Sequence, residues 1–85
     1  RHTVTNRLEC VALDLQGALA LANLRRGPER LHALDEADAH LDQIRFLTRL
    51  VTELGWFSGR QYEFAAGKLA EIGRLVGGWR KATGG

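Results

Sequence analysis

Eighty-five residues, 26% of them charged, leave room for one small domain with a modest core of its own. A net charge of +2 is too small to identify a nucleic-acid partner, although ten arginines against two lysines favour the planar fork that binds phosphate and carboxylate. No apolar run is long enough to span a bilayer, no basic leader precedes an apolar core, and the lone Cys10 has no internal disulfide partner, which points to a reducing, cytoplasmic setting.

The chain opens at Arg1 and contains no methionine, so it is expected to be a piece of a longer product. From Val4 the series Val4, Leu8, Val11, Leu15, Ala18, Leu19 and Ala22 recurs in steps of three and four and predicts a helix over 4–24. Gly27-Pro28-Glu29 then reads as a helix start, with glycine at the cap and proline at the first helical position, where its missing N–H is no loss. The second helix is predicted over 29–54, with the stripe Leu34, Ala37, Leu41, Ile44, Thr48 and Val51. Gly55 is placed to end it in the left-handed conformation. Ser58 and Gln61 have the spacing of a capping box, and Phe57 and Tyr62 hold the two positions of a hydrophobic staple. A third helix is therefore predicted over 58–81, with the stripe Tyr62, Ala65, Leu69, Ile72, Val76 and Trp79, and the tail from Ala82 to Gly85 is expected to fray. No strand alternation competes with the helical period. Short connections make neighbours antiparallel, so the expected fold is all-α, an antiparallel up-and-down bundle in a single domain.

The stripes do not exhaust the apolar surface. Ala66, Ala70, Gly73 and Gly77 form a second row of small residues on the third helix, with Phe64 and Leu75 on its other flank. Phe46 and Leu50 lie far round the second helix from Leu41, and the first is apolar almost all round from Gly17 to Leu24. Three helices cannot bury all of this, so another helix of the same protein, other subunits, or both are expected to cover it. Each glycine inside a helix costs about 1 kcal/mol relative to alanine. Gly73 and Gly77 are four apart on one face, and close approach of another backbone there is the expected compensation, with Trp79 continuing the stripe beyond them. A phosphate-cradling loop is not expected, since no strand precedes the segment and no GKS or GKT follows.

Enzyme chemistry finds little to build on. Glu29 and His32 make an E-x-x-H, but a di-iron bundle needs a second such motif and further glutamates. His32, Glu36 and His40 share a face among charged residues and read as solvated rather than as metal ligands. The acidic residues Asp35, Glu36, Asp38 and Asp42 sit in the first half of their helix, where they suit its dipole. Cys10 lacks a histidine at helical spacing that would activate it. No metal or cofactor is expected, and a metal- or ligand-holding bundle enzyme and an oligomerisation module of some other complex stand as the alternatives to the reading that follows.

Three segments carry a resemblance: Ile44-Arg45-Phe46-Leu47-Thr48-Arg49-Leu50, then Gln61-Tyr62-Glu63, then Leu69-Ala70-Glu71-Ile72-Gly73-Arg74-Leu75-Val76-Gly77-Gly78-Trp79. Together they resemble the accessory variability determinant proteins of diversity-generating retroelements and the related small four-helix-bundle proteins of ribosomal RNA intervening sequences. Arg1-His2-Thr3 looks like the basic lead into the family's second helix, and the family's first helix has no counterpart here. The resemblance implies a four-helix bundle once that helix is counted, and a non-enzymatic partner. It implies a homo-oligomeric ring, typically a pentamer, that binds the reverse transcriptase and template RNA and supports error-prone copying. Arg45 and Arg49, four apart on one helical edge, resemble the family's arginine pair. Arg74 lies in the third-helix motif, Arg80 and Lys81 extend its end, Arg25 and Arg26 lie in a loop, and Arg1, His2 and Arg7 make a basic start. All are expected to donate to phosphate or carboxylate, giving affinity and position rather than sequence readout. Phe46, Leu50, Ala66, Ala70, Gly73, Gly77 and Trp79 are expected in helix packing or oligomer contacts.

Overall fold

The structure, a computed structural model, describes residues 2–84, apart from the side chains of His2 and Thr5. It consists of three helices, α1 (His2–Leu24), α2 (Gly27–Glu53) and α3 (Gly59–Thr83), with no strand among the described residues.

Local chemistry sets the limits of each helix. Arg26 is extended (φ −136°, ψ 157°) and takes the cap position before α2, so the helix starts at Gly27, one position earlier than a glycine cap implies. Pro28 stands in the first turn, pre-set for helical φ. At the other end Gly55 has φ +82°. Its N–H donates to the Thr52 carbonyl and that of Trp56 to the Val51 carbonyl, the paired bonds of a Schellman ending that needs a left-handed residue. The capping box before α3 is complete: the Gln61 N–H donates to Ser58 Oγ at 3.1 Å, and the Ser58 N–H to Gln61 Oε1 at 2.7 Å. The expected fraying from Ala82 is corrected. α3 runs through Gly77 and Gly78 to Thr83, whose hydroxyl donates to the Trp79 carbonyl at 2.8 Å, and Gly84 caps it. Gly85 lies outside the described residues.

α2 is the middle of a flat layer, 42 × 22 × 13 Å in extent. Asp38 faces Arg80 and Arg45 faces Gly73, so α2 and α3 run antiparallel. No Cα of α1 lies within 8 Å of one in α3 among the described residues. The core follows from this order. Every member of α2's expected stripe is buried, because α2 has a helix on either flank. On α3 only Leu69 and Val76 are buried, while Tyr62, Ala65, Ile72 and Trp79 are half-buried. One group joins Val11, Leu15 and Ala18 to Ala37, Leu41, Ile44 and Leu69, and a second joins Ala22, Ala33, Leu34 and Val76. Leu13, Leu24, Phe46, Phe64 and Leu75 stay exposed.

Candidate functional site

The basic residues divide by what holds them. Arg80 is taken up by structure: it bridges Asp35 and Asp38 of α2, at 2.9 Å for Asp38, and ties the end of α3 down. Arg26 turns back onto the end of α1, donating to the carbonyls of Arg25 (3.0 Å) and Asn23 (3.4 Å). These carbonyls lack helical partners, so the guanidinium acts as a cap. Arg7, Arg25, Arg74 and Lys81 are exposed. Arg74 follows Gly73 by one residue and so points about 100° away from it round the helix. Arg1 and the side chain of His2 lie outside the described residues.

Arg45 and Arg49 are brought together with α3. Arg45 Nη1 donates to Asp42 Oδ1 at 2.9 Å, one turn back on α2. Its guanidinium crosses α3 at Gly73, where a methyl group would stand 2.7 Å from Nη2. Arg49 is exposed and makes no hydrogen bond or ion pair among the described residues. Beside them lies a cleft of about 110 Å³, lined by Arg45, Thr48 and Arg49 of α2 and by Tyr62, Ala66, Leu69 and Ala70 of α3. A water's share of liquid volume is about 30 Å³, so the cleft suits one small group such as a phosphate and is too small for a drug-sized ligand. Guanidinium forks such as those of the two lining arginines match the oxygens of such an anion.

Within the chain a side chain, Arg45, crosses Gly73, and no backbone does; at Gly77 a methyl group would meet nothing within 4 Å. Within the single chain α3 packs on α2 through Leu69 and Val76 and keeps the glycines at its edge, so a close backbone approach at Gly73 and Gly77 falls to a further helix or subunit, as expected from the sequence alone. Ala66 is half-buried and Ala70 exposed beside the cleft. Phe46 is 63% exposed and Leu50 half-buried. Trp79 is half-buried beneath Arg30, whose guanidinium carbon lies 5.3 Å from the ring centroid.

Arg30 escaped the sequence reading as part of this end of the molecule, whereas the pairing of Asp42 with Arg45 was open to it. Asp42 sits three residues before Arg45, a helical spacing that carries the signal. Arg30 has only its short distance from Pro28 to recommend it. His32 Nε2 is 3.0 Å from Glu36 Oε1, both exposed, while His40 Nδ1 is buried without a partner. No group of three or more His, Cys, Asp or Glu is placed to hold a metal among the described residues. Nor is any described helix long and apolar enough to cross a membrane.

A family model described as bAvd-like matches residues 1–83 of the chain. No curated protein and no solved structure matches it.

Proposed function

The chain belongs to the bAvd-like family, the accessory variability determinant proteins that its motifs resemble, and from that premise we propose that it is a non-enzymatic, cytoplasmic scaffold of a diversity-generating retroelement. It assembles with copies of itself, in a ring of about five, and binds the reverse transcriptase and the template RNA to support mutagenic copying into cDNA. The observation that carries the binding role is the small cleft of about 110 Å³ that Arg45 and Arg49 line together. One phosphate per subunit is a weak contact; repetition round a closed assembly multiplies it. Self-association is supported by the apolar side chains left exposed on all three helices, Leu13, Phe46 and Leu75 among them. A further helix of the same protein has the open flank between α1 and α3 to pack on, where Leu19 and Ile72 are half-buried.

The test is the double change Arg45→Ala, Arg49→Ala. Both residues lie beside the buried stripe, so circular dichroism is expected to show intact helices. Affinity for template RNA should fall, and its dependence on log salt should flatten by about 0.7 for each engaged subunit, the value for one lost single-strand phosphate contact. Loss of reverse-transcriptase binding alone would reassign the pair to the protein partner. Unchanged affinity for both, in a folded protein, overturns the assignment.

A further inference from the structure

We infer that Gly73 is the positioning residue for Arg45, and that its missing side chain is what lays the guanidinium across α3 with an edge turned to the cleft. The inference rests on the proposal that this cleft receives RNA phosphate. Glycine is among the poorest residues for a helix interior. Of the glycines along α3, Gly59, Gly67, Gly77 and Gly78 would each accept a methyl group with nothing within 4 Å, whereas at Gly73 that group would stand 2.7 Å from Arg45 Nη2. Ordinary contact begins near 3.4 Å, so alanine at this position displaces the guanidinium by about 0.7 Å. Binding constellations tolerate about 0.5 Å of misplacement.

The displaced atom is the end of a flexible side chain, so it can swing away without breaking the helix. The consequence falls on placement, not on the fold. Asp42 holds Nη1 at 2.9 Å, and the bare backbone at Gly73 gives Nη2 its place. The fork is thereby anchored at Nη1 and given room at Nη2, so part of the side-chain ordering that binding would otherwise demand is already in place. Arg49, with no such seat, supplies charge but not orientation.

The experiment compares Gly73→Ala, Arg45→Ala, the two combined, and Gly67→Ala as the control, all in the full chain. A short fluorescein-labelled single-stranded RNA of mixed sequence reports affinity by anisotropy, and thermal unfolding reports the midpoint. Gly67→Ala should bind like the wild type. Gly73→Ala should weaken binding by about tenfold, the scale of one charge-assisted hydrogen bond, and the combined variant should bind no more weakly than Arg45→Ala alone. Wild-type affinity in Gly73→Ala beside a loss in Arg45→Ala overturns the inference while leaving the cleft's role standing. A further loss in the combined variant also overturns it, since glycine would then act without the arginine. If Arg45→Ala itself binds RNA like the wild type, the cleft's proposed role fails, and the midpoints decide the inference. Alanine at position 73 should then raise the midpoint more in the Arg45→Ala background than in the wild type, and equal rises overturn it.

Discussion

At the scale of single residues, Arg30 joins all three helices. Its Nε donates to the Ala22 carbonyl at 2.8 Å, in the last turn of α1, and its guanidinium covers the Trp79 ring of α3. The carbonyl has no helical donor, and the ring keeps its apolar face covered. Arg30→Ala is expected to lower stability by about 1–2 kcal/mol in thermal or urea unfolding, the sum of a partly exposed charge-assisted hydrogen bond and a cation–π contact. A loss below a few tenths would show that both contacts are incidental. Arg80 looks stronger on paper, with two carboxylates, but the side chains are 40–52% exposed, so the network contributes under about 1 kcal/mol and weakens with salt. Neither role was legible beforehand. Arg80 and its neighbour Lys81 look alike in the sequence, and Asp38 lies 42 positions away. Gly73 shows the same limit: the sequence reveals an expensive residue in a helix, but which atom crosses it depends on the register of α2 against α3.

At the scale of elements, what local chemistry controls was legible. The Schellman ending at Gly55 and the box from Ser58 to Gln61 involve residues within a few positions of one another, and both form as their spacing implies. The stripe of α2 was legible in full because its two flanks are both occupied. That of α3 was legible only as a direction: periodicity gives the apolar face of a helix, and the neighbours decide how much of it is covered. The persistence of α3 through Gly77 and Gly78 was legible from Trp79, which continues the stripe beyond them; its extension to Thr83 was not, because packing of Val76 and Trp79 and the Arg80 bridge hold that end from outside it. The exposed flanks make a prediction. Static light scattering of the full chain at micromolar concentration is expected to give a mass several times 9.4 kDa. Phe46→Glu, on an outward face, should reduce that mass without loss of helix. A wild-type protein that scatters as a single chain contradicts self-association.

At the scale of the whole molecule, the flat order of α1, α2 and α3 leaves two unlike surfaces. One is apolar, the open flank between α1 and α3, and suits a further helix or subunit. The other is the edge where α2 arginines lie over small residues of α3, and it suits an anion. The family match over residues 1–83 gives this division its biological frame, an accessory protein of a diversity-generating retroelement. Tyr62 also lines the cleft, and an aromatic ring near arginines is a combination on which single-stranded nucleic acid rests its backbone and stacks a base. The most direct test is ultraviolet cross-linking of the full chain to template RNA in the presence of its reverse transcriptase, with the adducts mapped by mass spectrometry. Adducts on Tyr62 and on the peptides around Arg45 and Gly73, lost in the Arg45→Ala, Arg49→Ala variant, are the predicted result. Adducts confined to the Arg25–Arg26 loop or the end of α3, with none along the cleft, would contradict it.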